Sequence, residues 1–196
     1  KNYENWLNKL CEENSHWQNI WRECVIPSPA WMIFKEDFEK SGAFDSDLYP
    51  EDYDLVFRFH KNGLKVKSIH EIVHFWREHP ERTSRKSKNY NQESFLNCKI
   101  HHFLDSQLKN ETLVFIGSGI KKNIAQKIFN KYSELTYIIL DNSDKNAFSN
   151  DLKHVIEREK QIKFIIAIAN KDIQKEIILF FDKFEFLENE DYYFFS

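Results

Sequence analysis

The chain has 196 residues, enough for one domain or two small ones. Hydrophobic residues make up 41% and charged residues 30%, a balance that excludes a disordered chain and fits a soluble globular one. The formal net charge of -3 argues against general nucleic-acid binding. Aromatics reach 16%, including 18 Phe and 5 Trp, so the core is expected to be rich in rings. Gly and Pro number only 4 each, so each one marks a turn or a special backbone position. Cys11, Cys24 and Cys98 are widely spaced, with no CxxC and no zinc-finger pattern. They read as buried free thiols in a reducing, cytoplasmic setting. No apolar run approaches the roughly 20 residues of a membrane span, and no signal peptide is visible. The first residue is Lys1, inside a helical pattern, which reads as a fragment or a processed form.

In chain order, residues 1–24 carry Trp6, Leu7, Leu10, Trp17, Ile20 and Trp21 at intervals of mostly three, four and seven. That spacing predicts one or two amphipathic helices, with the Trp rings in the core. VIPSPAWMIFK follows. Pro27 and Pro29 enforce an extended entry. Trp31, Met32, Ile33 and Phe34 read as a short buried strand. Residues 35–41 predict a short helix with Gly42 at its C-terminal end.

The stretch YPEDYDLVFRF, residues 49–59, organises the first part of the chain. Pro50 suits the first turn of a helix, and Glu51 and Asp52 meet the positive end of its dipole. Asp52, Leu55, Val56 and Phe59 share one helical face. Asp52 is thereby placed at the edge of a buried surface, where a carboxylate is able to accept a proton. A plain capping role is the other reading. The helix stops near Asn62 and Gly63. LKVKSIHEIVHFW alternates and predicts one or two strands. WREHPERTSRKSK then brings Arg77, Arg82, Arg85, Lys86 and Lys88 together, either as a solvated loop or as a phosphate-binding one. His70 and His74 sit in strand-like sequence and do not share a helical face, whereas His101 and His102 read as ordinary helix residues. Residues 90–108 predict a helix that carries Cys98 in the core, with a domain boundary at residues 109/110.

From residue 110 the pattern changes. LVFIGSG is a strand running into a Gly-rich turn, KKNIAQKIFNKY a helix, LTYIILD a strand ending in Asp141. A polar stretch with room for a short helix leads to the strand IKFIIAIAN. KDIQKEIILFFDKF is helical, and FEFLENEDYYFF offers a short last strand. This alternation predicts parallel βαβ units in a small Rossmann-like domain. Gly117 and Gly119 form a GxG, with Asp141 placed as in a dinucleotide fingerprint. The third glycine position is Lys122, and the domain is small, which weighs against NAD(P). The turn either binds a phosphate through its N–H groups or is a tight structural turn.

The residues from IPSPAWMIF through GAFDSDLYPEDYDLVFRF and KNGLKV to WREHPERTSR resemble the second half of a family 2 glycosyltransferase of the GT-A fold. The resemblance covers residues 15–105. The C-terminal residues resemble a small Rossmann-like domain appended to some bacterial members. The fold this implies is α/β: a partial GT-A region over 1–109, then a Rossmann-like βαβ domain with a parallel sheet over 110–196. The resemblance implies an inverting transfer of sugar from a nucleotide-sugar donor to a glycan or lipid-linked acceptor, in surface polysaccharide synthesis. Glu51 and Asp52 would supply the catalytic base, with Asp52 the base itself. His79 would hold a divalent metal, manganese or magnesium, at the donor diphosphate. Arg77, Arg82 and Arg85 would add positive charge, and Trp31, within a strand over 28–32, would stack on sugar. The family's nucleotide-binding half, with its DxD motif, has no counterpart among these residues, since Asp45 and Asp47 stand in the loop before the helix. Two other readings remain: a non-catalytic assembly module with a degenerate transferase half, and an NAD(P)-binding protein built on Gly117, Gly119 and Asp141.

Overall fold

The structure is a computed structural model that describes residues 2–44, 47–72, 75 and 87–196. The chain divides into two compact units, Lys1–Cys98 and Lys99–Ser196.

In the first unit, helix α1 spans Asn2–Glu13 and buries Leu10. It ends where Asn14 takes a positive φ of 51°, and Ser15 N–H then donates to the Leu10 carbonyl. A single turn at Trp17–Asn19 follows, so the amphipathic stretch is one helix and a turn. Trp17 and Trp21 pack as expected. Trp17 Nε1 donates to the Leu64 carbonyl at 3.0 Å, and the Trp21 ring lies 4.8 Å from that of Phe57. Helix α2, Lys35–Lys40, is short and stops at Gly42, whose φ is +80°.

Helix α3, Glu51–Lys61, is the centre of this unit. Tyr53, Asp54, Leu55, Val56, Phe57 and Phe59 are all buried. The expected face of Leu55, Val56 and Phe59 is there, but burial extends around nearly the whole helix. Asp54, which faces away from that stripe in sequence, is 2% exposed. A helix buried on most sides needs its polar members paired. Arg58 does this, donating to Asp54 Oδ2 through Nε at 3.0 Å and Nη2 at 2.8 Å. The same guanidinium donates to the carbonyls of Ser41 and Ala43, tying the loop after α2 to α3.

Two expected strands are not formed among the described residues. Residues 28–30 make a single helical turn, and residues 31–34 carry no regular structure. Met32 and Phe34 stand 93% and 79% exposed rather than buried. Residues 64–70 likewise belong to no sheet. The alternating pattern is real in both, but a strand exists only where a neighbour accepts its main-chain hydrogen bonds. None of the described residues of this unit does so. Part of the second expected strand, including His74, lies outside the described residues.

Helix α4, Gln92–Ser106, carries Cys98, Ile100 and Phe103 fully buried. The two compact units divide within it.

The second unit is α/β with a parallel sheet, as the sequence pattern predicts. Strands β1 (Thr112–Ile116), β2 (Tyr137–Leu140), β3 (Ile162–Ile166) and β4 (Tyr192–Phe194) lie in the order β2-β1-β3-β4. All three pairings are parallel. Every residue of β1 is buried, as a strand covered on both faces requires. Helices α5 (Gly119–Phe129), α6 (Lys145–Arg158) and α7 (Lys171–Phe181) make the connections. The polar stretch before β3 therefore holds a helix of 14 residues, not a short one. Asp144 caps α6 by accepting from Asn146 and Ala147 N–H, and Asn170 caps α7 by accepting from Asp172 and Ile173 N–H. The core is aromatic, with Phe181 at 4.7 Å from Phe164 and 4.9 Å from Tyr192 between ring centres. Among the described residues, no helix is long and apolar enough to cross a membrane.

Candidate functional site

The N-terminus of α3 carries two adjacent carboxylates, of which Asp52 is perturbed. Pro50 precedes the first turn in extended conformation, so Glu51 and Asp52 open the helix. Asp52 is half-buried. Its carboxylate accepts the Tyr53 N–H at 2.9 Å and is also bonded by the Ser28 N–H. Burial pushes the Asp52 carboxyl up from its ordinary 3.8, and the Glu51 charge beside it adds to the rise. The backbone N–H bonds oppose that shift without cancelling it.

Glu51 is held from the other side. Tyr90 Oη lies 2.5 Å from each Glu51 carboxylate oxygen. Desolvation, followed by the bond to Glu51, drives the Tyr90 hydroxyl well above the usual phenol range, so it remains a donor. The arrangement is one fixed carboxylate and, next to it, one carboxylate with raised proton affinity. Such a pair suits proton transfer. Cys24 is fully enclosed nearby, its thiol pushed up by burial and then by the Asp52 charge.

Trp31 is half-buried on the irregular segment before α2. Its ring meets Phe59 edge-on at 5.6 Å and Phe38 at 6.2 Å. Its indole Nε1 is buried without a hydrogen-bond partner. It packs against the core rather than presenting itself from a strand. Arg77, His79, Arg82 and Arg85 lie outside the described residues. Among the described residues, no three His, Cys, Asp or Glu side chains gather as a metal site.

In the second unit, β1 does run through Gly117 and Gly119 into α5, at the point where the chain order reverses across the sheet. Gly117 is required by packing: a Cβ there would meet Phe115 Cε1 at 2.9 Å and Ala167 Cβ at 3.4 Å. Gly119 has open space around it and a φ of +58°. Asp141 follows β2, but Lys122 Nζ sits 2.6 Å from its Oδ2. With the Ser143 N–H as a further donor, the carboxyl is held down at about 2. Lys121 donates to the Ala167 carbonyl after β3 at 3.0 Å. Lys122 thus occupies the third glycine position and takes the carboxylate that a ribose would use. This supports a structural role for the turn.

Sequence reasoning missed Tyr90, which lies 39 residues from Glu51 with nothing local to mark it. It also missed Asp54 and Arg58, although their i,i+4 spacing was a legible signal. No family model, no curated protein and no solved structure matches this chain.

Proposed function

We propose that the α3 N-terminus is the acceptor-activating half of an inverting, family 2-type glycosyltransferase site. The observation that supports this best is the half-buried Asp52 carboxylate, raised in proton affinity by burial and by Glu51. A general base works best when its pKa lies nearer the working pH than that of a free carboxylate. In this reading Asp52 takes the proton of an acceptor hydroxyl on a glycan or lipid-linked sugar. The oxygen forms a bond to the anomeric carbon of a nucleotide-sugar, the bond to the diphosphate breaks, and the configuration inverts. Glu51, beside the base, is fixed by the Tyr90 hydroxyl. A divalent metal, manganese or magnesium, would when bound neutralise the leaving diphosphate. His79 is the residue expected to hold it. Among the described residues, no three His, Cys, Asp or Glu side chains gather to hold it.

The test is nucleoside diphosphate release by the intact protein from UDP-, GDP- and dTDP-sugars with oligosaccharide acceptors. D52N should lower turnover by about 10²- to 10⁴-fold while leaving the circular dichroism and donor affinity unchanged. Turnover retained in D52N would remove Asp52 from the role of base. Absence of both binding and turnover with every donor would favour the non-catalytic assembly module.

A further inference from the structure

The end of helix α1 sets a thiol against an imidazole. Asn14 takes a positive φ of 51°, and the Ser15 N–H donates back to the Leu10 carbonyl at 3.1 Å. The chain then enters the turn at Trp17–Asn19. Asn19 fixes this reversal, its N–H donating to the His16 carbonyl at 3.0 Å and its Nδ2 to the Ser15 carbonyl at 2.8 Å. The next ring, Trp17, is anchored on the Leu64 carbonyl at 3.0 Å. This local closure leaves His16 Nε2 3.8 Å from Cys11 Sγ. Burial separates the three thiols: Cys24 and Cys98 are enclosed, whereas Cys11 is half-buried. His16 is 6% exposed. Burial pushes its pKa below the ordinary 6.5, so the imidazole is neutral at pH 7. Among the described residues, Cys11 Sγ is the one hydrogen-bond partner of that ring.

A neutral imidazole held against a thiol is a base beside a nucleophile. Two side chains fall short of the three or four protein ligands of a zinc site, and no third gathers with them among the described residues. We propose that Cys11 and His16 form a thiol–imidazole pair that exchanges with small disulfides, making Cys11 a site of reversible mixed-disulfide modification. With the ring proton on Nδ1, His16 Nε2 takes the Cys11 proton. Sγ forms a bond to one sulfur of the disulfide, the S–S bond of that disulfide breaks, and the departing thiolate recovers the proton from His16. The disulfide is the oxidant, and half of it leaves as a thiol. A small disulfide suits a thiol that is only half-buried, and an internal partner does not, because Cys24 and Cys98 are enclosed. The inference does not rest on the sugar-transfer reading, because it uses neither Glu51 nor Asp52.

The probe is bis(hydroxyethyl) disulfide, uncharged and small, added to the whole chain and followed by intact mass and peptide mapping. A single hydroxyethylthio group should appear at Cys11 and be removed by dithiothreitol. The pH dependence separates an assisted thiol from one that is merely accessible. Between pH 8 and pH 7 an isolated thiol, with a pKa of about 8.5, slows about eightfold. The rate at Cys11 should change less than about twofold, because neutral His16 serves as the base across that range. H16Q should restore the steep fall and slow the reaction at pH 7 by roughly tenfold or more, with tryptophan emission unchanged. An eightfold fall in the unsubstituted protein would overturn the proposal whether or not H16Q folds. So would modification of Cys24 or Cys98 ahead of Cys11, or a folded H16Q that reacts as fast as the unsubstituted chain.

Discussion

Replacing Arg58 with Met should destabilise the first unit strongly while leaving the second intact. The Asp54 side chain is only 3% exposed, and Arg58 donates two charge-assisted bonds to it. Removing one partner of such a buried pair costs about 3–5 kcal/mol, because the remaining charge stays desolvated. The carbonyls of Ser41 and Ala43 lose the Arg58 donors as well. A loss of about 4 kcal/mol is a large part of the roughly 5–15 kcal/mol that holds a domain together. Tryptophan emission reads this unit selectively, since the 5 Trp, at 6, 17, 21, 31 and 76, all precede residue 99. With a urea slope of about 2 kcal/mol per molar, the midpoint should fall by about 2 M. The double variant D54N/R58M should recover much of that loss, because a neutral pair leaves no buried charge. A midpoint shift in R58M below about 0.5 M, or a double variant worse than the single one, would refute the reasoning that a stranded, desolvated Asp54 charge sets the cost.

Two other outcomes bear on the candidate sites. The folded Asp52 carboxyl lies above its unfolded value of 3.8, so the native state holds the proton more tightly. The stability this contributes is complete below 3.8 and is lost as pH rises through the folded value. Thermal melts followed by tryptophan emission should therefore show D52N gaining on the unsubstituted protein from acid to neutral pH, and a pH-independent difference would count against a raised carboxyl. G117A should lose about 1–3 kcal/mol by forcing its methyl into Phe115. Faster amide exchange across β1 would register this, and unchanged exchange would mean that Gly117 is not there for packing.

How much of this was legible in the sequence differs sharply between the two units. Local rules served the second one well. The runs of β1 and β3, the capping residues Asp144 and Asn170, and the glycine-bounded turn after Ile116 specified alternating strands and helices. Parallel strands covered on both faces are apolar throughout, so each announces itself without reference to its neighbours. Helix α3 was legible for the same reason, from Pro50 at its start to Gly63 beyond its end, as were the two carboxylates at its head.

What needed the tertiary structure depended on partners remote in sequence. Residues 31–34 and 64–70 have the alternation of strands, yet strand formation is decided by whether another backbone lies alongside. The Tyr90 bond to Glu51 spans 39 positions, and no local pattern encodes it. Lys122 filled a fingerprint position in the sequence, but its bond to Asp141 appeared only once β2 lay beside β1. The sequence by itself determined where chain elements begin and end and which carboxylates open α3, because propensity, capping and periodicity act over a few residues. The tertiary structure decided which of those carboxylates is desolvated, which is pinned and which extended segments go unpaired, because burial and hydrogen-bond closure are properties of the packed chain.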